Sequence, residues 1–373
     1  MPAEKSSTKK SILAHARNWY ARFERPFSSI SLIGGFVFDA VTLTRVDMFW
    51  ENFWVVAHLA IVTICALIIN LVENEGEAEK NPEKLHFWLV NVMQFFFGGI
   101  FSTFLVFYFR SGTITTSWPF LVILAAAFVA NERLKRHYAR FTFHVSLLFL
   151  SYYLFAIYLM PILFHQISTP IFLLSGVVSL AAISILLLIL RKFSRERFKG
   201  NSIWIVRACV AAIVIGVNVL YFYDLIPPLP LSLKDAGIYQ SLIVNGPGQY
   251  TVGHESQGWF GFFDWSQTVH IVPGDPLFAY TAVFSPTSLN IQIIHEWQYY
   301  DPATNSWVTR GRIPLAVTGG GDGGYRTFSM EPAMTAGAWR LNVKTPHGQV
   351  IGQLRFDVVT ATSEPALATA QIN

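Results

Sequence analysis

Three polar residues stand inside long apolar segments of this sequence, where an ionisable or amide side chain is costly. Asp39, His58 and Asn218 each lie in the outer part of their own segment. Such residues predict either a small polar cavity for an ion, a proton or a lipid head group, or hydrogen bonds that join helices. We expect Asp39 to pair with His58, and we favour the structural role over the cavity.

The hydrophilic C-terminal part contains histidines and acids, but not in the spacing of a catalytic or metal site. His295-Glu296 begins like the zinc motif H-E-x-x-H, yet Tyr299 occupies the position of the second histidine. The segment also alternates as a strand, so His295 and Glu296 point to opposite faces. We therefore predict no catalytic residue, no metal and no cofactor, and we interpret His295 as a core residue beside Trp297.

We predict that Arg326, Ser329 and Arg340 lie on neighbouring strands. Arginine forks and a hydroxyl group suit carboxylate or phosphate, so these residues form a candidate ligand patch. Arg340 alternates with Trp339, which predicts that Arg340 is exposed. The alternative is that the arginines pair with acidic residues on adjacent strands.

An aromatic segment with the sequence GWFGFFDWS lies between two predicted strands. Amphipathic rings settle at membrane interfaces, which predicts contact with the outer leaflet. The alternative is that the rings cover the β domain or pack on the helices. The residues concerned are Trp259, Phe260, Phe262, Phe263 and Trp265.

The composition places these residues in an unusual chain. Of its 373 residues 53% are hydrophobic and only 13% are charged, against about 25% charged in a typical soluble domain. Such values exclude a disordered chain, a coiled coil and a disulfide scaffold. The two cysteines, Cys65 and Cys209, lie in apolar runs and are interpreted as small hydrophobic residues.

The charges divide the chain into two parts. Residues 1–223 carry 20 Lys and Arg against 12 Asp and Glu, whereas residues 224–373 carry 7 against 11. No basic surface with interleaved aromatic residues occurs in the second part, so nucleic acid is not an expected partner.

Seven apolar segments predict a membrane helical bundle, since a helix needs about 20 apolar residues to cross the hydrocarbon. The two shorter segments could instead be re-entrant or interfacial. The segments are Phe27–Leu43, Phe53–Val72, Leu85–Phe109, Ile114–Ala130, Phe141–Phe164, Pro170–Leu190 and Ile203–Tyr223.

The loop charges predict the orientation of these segments. With the N-terminus in the cytoplasm, 17 Lys and Arg lie in cytoplasmic segments, and only Arg45 and Arg110 lie in the short loops on the other side. The positive-inside rule therefore favours this orientation. Seven spans then deliver the C-terminal part to the far side, which in a bacterium is the periplasm across the inner membrane.

After residue 223 the hydrophobic period changes from helical to alternating. The segments NIQIIHEWQYY, GAWRLNVKT and QVIGQLRFDV alternate as half-buried strands, and FAYTAVF is apolar on both faces, as in a central strand. We predict an all-β antiparallel sandwich of the immunoglobulin-like type after the helical bundle. The predicted domains are a basic cytoplasmic segment 1–26, a transmembrane domain 27–223, a Pro-rich linker 224–237 that acts as a stiff spacer, a periplasmic β-sandwich 238–360 and a flexible tail 361–373.

Residues 282–359 resemble an uncharacterised domain family at the carboxy termini of bacterial membrane proteins. The resemblance rests on four motifs: His295-x-Trp297, Gly324-Tyr325-Arg326-x-x-Ser329, Gly337-x-Trp339-Arg340-x-x-Val343, and Gly348-x-x-x-Gly352 with Phe356. The segments PLSLKDAGIY and FYFRSG are similar to the multi-span portion of the same proteins. The resemblance implies an inner-membrane protein with an extracytoplasmic β domain, and it implies no reaction.

We therefore expect a non-catalytic membrane protein. Its periplasmic sandwich would bind a partner protein, a glycan or a lipid head group. The alternative is a transporter or lipid-handling protein with Asp39, His58, Gln94 and Asn218 along a polar path through the spans.

Overall fold

The computed structural model of the chain describes residues 33–43, 47–72, 82–133, 141–193, 202–255, 267–286, 290–318, 323–332 and 334–372. Within these ranges a helical domain is followed by a β domain. The aromatic segment with Trp259, Phe260, Phe262, Phe263 and Trp265 lies outside the described residues.

Six of the helices in the described ranges are long and apolar enough to cross a membrane. The prediction of seven spans is corrected to six, because the first helix has ten described residues, which rise about 15 Å against about 30 Å of hydrocarbon. The helices are α1 Ile33–Thr42, α2 Phe49–Val72, α3 Pro82–Arg110, α4 Ile114–Arg133, α5 Phe141–Phe164, α6 Thr169–Phe193 and α7 Ser202–Phe222.

The short helix α1 is attached to the bundle at its C-terminal end. Arg110, the last residue of α3, donates to Ala40 O at 2.5 Å and also to Leu43 O. A cation at this position satisfies carbonyl groups that a helix end leaves open and complements their partial negative charge. The end of α1 therefore lies beside the end of α3.

Helix α5 connects the bundle through polar contacts with its neighbours. Tyr152 Oη lies 2.6 Å from Thr63 Oγ1 of α2, and the Tyr108 hydroxyl of α3 donates to Leu154 O at 3.0 Å. Hydrogen bonds of this kind stabilise helix pairs in a lipid environment.

The β domain contains eleven strands within the described ranges. These are β1 Ser232–Tyr239, β2 Ser241–Gly246, β3 Gln249–Glu255, β4 Gln267–Ile271, β5 Leu277–Phe284, β6 Asn290–Asp301, β7 Ser306–Thr318, β8 Tyr325–Glu331, β9 Gly337–Lys344, β10 Val350–Thr360 and β11 Leu367–Ile372. The large sheet has the order β4-β10-β9-β6-β7, the middle sheet β1-β5-β8 and the small sheet β11-β3-β2.

The three sheets form three layers, with the middle sheet between the other two. Ala279 and Val283 of β5 share a core with Trp297 of the large sheet. Tyr280, from the opposite face of the same strand, packs with Tyr250 of the small sheet. Strand β5 is therefore central and buried on both faces, as the apolar run FAYTAVF predicts.

The β domain differs from the predicted two-sheet antiparallel sandwich in three respects. The small sheet adds a layer, and β4 pairs with β10 in parallel. Residues 367–372 form β11 and pair with β3, where the sequence predicted a flexible tail. The alternation of a strand does not specify which strand it pairs with, so the sequence pattern did not reveal these pairings.

The predicted linker is buried rather than extended in solvent. Ile226 and Leu229 belong to the same buried cluster as the helices, together with Phe284 at the end of β5. Gln349 Nε2, in the turn between β9 and β10, donates to Ile226 O at 3.3 Å. The β domain thus packs directly on the helical domain, and residues 226–231 fill the junction instead of separating the domains.

The turn between β9 and β10 also touches the end of α7. A Cβ atom on Gly348, which has φ of 101°, would lie 2.9 Å from Asp224 Oδ2. Only glycine readily combines this positive φ with so close an approach.

We predict that Gly99→Ala destabilises the helical domain, whereas Gly216→Ala does not. A Cβ on Gly99 would lie 2.9 Å from His58 Nε2, whereas a Cβ on Gly216 would meet nothing within 4 Å. Overpacking of this kind costs about 1–3 kcal/mol. Thermal unfolding of the two variants in detergent tests the prediction, and equal melting temperatures would contradict it.

Candidate functional site

The outward face of the large sheet carries a network built around one buried acid. The Glu296 residue of β6 is only 2% exposed. Its carboxylate accepts hydrogen bonds from Arg312 at 2.9 and 3.0 Å and from Asn342 at 3.3 Å, and Lys344 Nζ lies in direct contact with it. Gln298 Nε2 donates to the same carboxylate at 3.2 Å. A buried carboxylate is stable when it is paired and hydrogen-bonded in this way.

These contacts set the ionisation of Glu296. Burial by itself raises the pKa of this carboxyl, but the hydrogen bond and charge of Lys344, with the bonds from Asn342 and Arg312, outweigh burial and lower the pKa. Glu296 is therefore ionised at neutral pH.

A second group of contacts continues the network along the face. Gln298 Oε1 accepts from Arg340 Nε at 2.7 Å and from Asn342 Nδ2 at 3.1 Å. The Arg340 guanidinium lies 4.3 Å from the centre of the Trp307 ring, within the range of a cation–π contact. Arg340 is thus held between an amide and an aromatic ring.

Basic residues are concentrated on this face although the region as a whole is acidic. Residues 224–373 carry seven Lys and Arg against eleven Asp and Glu. Four of these seven, Arg312, Arg340, Lys344 and Arg355, lie on the outward side of β7, β9 and β10 around the single buried Glu296. We call this surface the cationic face, and it is the candidate site for an anionic ligand.

A β-bulge determines which arginines reach the cationic face. The pairing of β6 with β7 shifts between Trp297 and Gln298, so that Arg310 has no partner in the ladder. A bulge re-aims the side chains around it. Arg312 consequently reaches Glu296, whereas Arg310 lies over the Tyr299 ring at 5.4 Å.

Behind the cationic face, His295 joins the large sheet to the middle sheet within the core. Its Nε2 lies 2.9 Å from Thr281 Oγ1 and its Nδ1 lies 2.8 Å from Ser329 Oγ. Trp297 Nε1 donates to the same Ser329 hydroxyl at 3.1 Å. The histidine has no solvent exposure, and burial lowers its pKa to about 4. It is therefore a neutral, fully hydrogen-bonded core residue.

The structure does not bring the predicted ligand patch together. Arg326 and Ser329 lie on β8 of the middle sheet, whereas Arg340 lies on β9 of the large sheet. Ser329 is 4% exposed and bonded to His295, so it cannot contribute to an open surface. Only Arg340 of the three belongs to the cationic face. Trp339, the third family-motif residue, is buried and donates to Thr335 O at 2.8 Å.

Of the three predicted intramembrane residues, His58 and Asn218 contact neighbouring helices. In the described part of the chain, no hydrogen bond or ion pair joins Asp39 to His58. His58 packs between the rings of Trp54 and Phe96, with centroids at 4.7 and 4.9 Å. Asn218 Nδ2 of α7 donates to the Tyr153 hydroxyl of α5 at 3.1 Å.

Sequence reasoning missed Glu296, Lys344 and Arg312 as a unit. The alternation of polar residues in the two predicted strands did place Glu296 and Lys344 on outward faces. The pairing of β6 with β9 was the missing information, since the two residues are 48 positions apart. No group of three or more His, Cys, Asp or Glu residues in the described ranges is arranged to hold a metal ion.

The fold places the chain in a class of proteins with six helices of membrane-spanning length followed by a C-terminal β domain. Residues 290–358, which contain the whole cationic face, match the family described as "Protein of unknown function (DUF2914)". This match lies within the predicted range 282–359. The resemblance of the multi-span portion and the bacterial origin stay predictions. A comparison with curated proteins finds no match.

Two similar solved structures give no further guide to the fold. A β-glucosidase from Listeria innocua, in complex with isofagomine, aligns at 10% identity over 35% of this chain with a TM-score of 0.19. The aligned region spans 16% of the glucosidase chain. The DNA glycosylase AlkC from Pseudomonas fluorescens aligns at 8% identity over 84% of this chain and 99% of its own, with a TM-score of 0.21. Both scores are too low to support an argument.

We predict that Glu296→Gln destabilises the β domain at neutral pH by about 1–3 kcal/mol, because Lys344 and Arg312 lose their charged acceptor. A lowered carboxyl pKa stabilises the fold above the unfolded value of 4.5, and this contribution is lost as the pH falls through the folded value. Unfolding of wild type and variant should therefore converge below about pH 4.5. A constant difference at all pH values would argue against an ionised Glu296.

From the lowered pKa of His295 we predict a separate loss of stability at mildly acidic pH. Its pKa of about 4 lies below the ordinary value of 6.5, so the unfolded chain binds the proton first. Stability should fall by up to roughly 3 kcal/mol between these values. Denaturant titrations followed by tryptophan fluorescence measure this loss. His295→Gln should flatten it, and a wild type with constant stability over this range would refute the assignment.

Proposed function

We propose that this chain is a membrane-anchored binding module of the bacterial inner membrane, with its β domain in the periplasm. Its cationic face binds an anionic group on a partner protein, a glycan or a lipid head group. The role is non-catalytic, and the helices fix the position of the domain at the membrane surface.

The main observation in support of this proposal is the charge of the cationic face. Four basic side chains converge on one face of an otherwise acidic region, and the two acids of that face, Glu296 and Asp357, neutralise only part of their charge. Such excess charge of one sign attracts and orients oppositely charged partners. The match to residues 290–358 contains Glu296 and all four basic residues of this face.

The loop charges support the location of the β domain without reference to α1. The loops after α2, α4 and α6 all lie on one side of the membrane, and residues 73–84, 131–140 and 191–199 together carry eleven Lys and Arg. Helix α7 ends on the opposite side. With six spans the N-terminal segment lies on the same side as the β domain. The eleven Lys and Arg of the three loops then stand against eight on the other side, seven before α2 and Arg110. The positive-inside rule therefore still favours an extracytoplasmic β domain.

We also propose that the large and middle sheets form an immunoglobulin-like sandwich, to which the small sheet is added. They share one core around Trp297 and Trp339, and Trp297 lies on β6 inside the large sheet. A buried tryptophan in an inner strand is a feature of that fold.

The transporter alternative has less support. Asn218 is bonded to Tyr153, and His58 is packed between two aromatic rings. These contacts suit helix packing better than a continuous polar path.

A location experiment tests the first part of the proposal. Alkaline phosphatase fused after residue 372 should be active, because this enzyme folds only outside the cytoplasm, and the same fusion within residues 134–140 should be inactive. The reverse pattern would overturn the proposed orientation.

A binding experiment tests the second part and uses neighbouring arginines as a matched pair. The full chain in a non-ionic detergent should be retained on a heparin matrix and released by salt. Arg312→Gln should lower the salt needed for release, whereas Arg310→Gln, outside the face, should not. Equal effects of the two variants would refute the cationic face as the binding surface.

A further inference from the structure

The cationic face contains two arginines placed directly opposite each other. Arg340 of β9 and Arg355 of β10 are partners in the antiparallel ladder, and both alternate with core residues, Trp339 and Phe356. Side chains at such positions start from Cβ atoms about 4.5–5.5 Å apart. Like charges directly opposite each other destabilise a sheet, so this pairing needs an explanation.

Each guanidinium group is held by one amide and keeps its terminal nitrogens available. Arg340 Nε donates to Gln298 Oε1 at 2.7 Å, and Arg355 Nε donates to Gln353 Oε1 at 3.0 Å. Within the described residues, the terminal nitrogens of these two arginines have no hydrogen-bond acceptor. The amides therefore orient the two groups without neutralising them.

The charges around the pair leave it electropositive. Burial lowers the pKa of Arg340, the charge of Arg355 lowers it further, and Glu296 opposes these effects. The Glu296 carboxylate is already occupied by Lys344 and Arg312. Asp357 of β10 lies two positions beyond Arg355 and is the second acid on this face. Four basic residues against Glu296 and Asp357 leave two positive charges.

We infer that Arg340 and Arg355 form a clamp for the phosphoryl group of a ligand, with Trp307 as the wall beneath Arg340. Two guanidinium forks from adjacent strands offer several N–H donors to a tetrahedral anion, the geometry in which arginine binds phosphate strongly. A bound phosphoryl group would also remove the repulsion between the two arginines. This inference rests on the proposed function, since it names the ligand chemistry of the same face.

We infer that β10 runs away from the membrane from its start at the junction with the helices, and this direction favours a water-soluble ligand over a lipid of the supporting bilayer. The turn that contacts Asp224 and Ile226 precedes β10, and Arg355 follows its first residue by five positions, about 17 Å along an extended strand. The headgroup layer extends only about 5–8 Å beyond the hydrocarbon. We therefore assign the phosphoryl group of a soluble molecule, such as a phosphorylated sugar.

Calorimetric titration of the full chain in a maltoside detergent, which contains no phosphate, tests the inference. The probes are inorganic phosphate, glycerol 3-phosphate, acetate and monomeric dihexanoyl phosphatidylglycerol. We expect the wild type to bind the first two and to bind acetate much more weakly. Arg355→Gln should weaken binding by roughly tenfold or more, since a hydrogen bond to a charged group is lost. Arg310→Gln should leave binding within about twofold, because it lies outside the clamp.

Arg355→Lys separates the clamp from a simple charge effect. It retains the charge but not the fork, so it should bind phosphate more weakly than the wild type and more tightly than Arg355→Gln. The unfolding curve of each variant verifies that the fold is intact.

Several outcomes would overturn the clamp. The first is that phosphate binds Arg355→Gln as tightly as the wild type. The second is that acetate binds as tightly as phosphate, and the third is that no phosphoryl probe binds. Binding of the lipid probe alone would overturn the assignment to a soluble ligand. Should Arg312→Gln still weaken heparin binding in these cases, the proposed function would stand and the phosphoryl clamp alone would fail.

Discussion

The charge of the buried Glu296 carboxylate constrains three adjacent strands of the large sheet, β9, β6 and β7. An ionised acid with almost no exposure must be surrounded by donors and opposite charge, and its donors come from β7 and β9 as well as from β6 itself. A slip of one residue between these strands would turn Lys344 towards the core and leave the acid unpaired. One interaction thus fixes the register of three strands. This requirement explains Arg312 and Lys344, which pair with Glu296, but not Arg340 and Arg355, which are bonded to glutamines on the same face.

The sequence predicted the individual strands of the β domain better than it predicted which strands pair with each other. The apolar run of β5 reveals a strand buried on both faces, because that property is local. The three residues of the predicted ligand patch, Arg326, Ser329 and Arg340, are apart for two physical reasons. Arg326 and Ser329 are three positions apart, an odd separation that places their side chains on opposite faces of one strand. Strands β8 and β9 follow each other in the chain but join different sheets, a choice that depends on long-range packing.

The helical domain shows the same division between local and long-range information. Five long spans and the shorter Ile114–Ala130 are recognisable from hydropathy, and each corresponds to a helix of spanning length. Depth in the membrane suggested a pair between Asp39 and His58. Depth does not fix rotation about the helix axis, and His58 instead turns towards Phe96 and the gap left by Gly99. The sequence identified Arg110 only as a basic residue of a short loop. Its side chain in fact donates hydrogen bonds to carbonyl groups at the end of α1.

The buried junction makes α7 and the β domain a mechanical unit. Residues 226–231 fill the space that a flexible hinge would need, and the turn around Gly348 sits on the end of the helix. When α7 tilts in the bilayer, the β domain consequently tilts with it, and the strand ends that lie farthest from the junction move the most. Because a helix can accommodate a change in membrane thickness by tilting, membrane thickness also affects the direction in which the domain points.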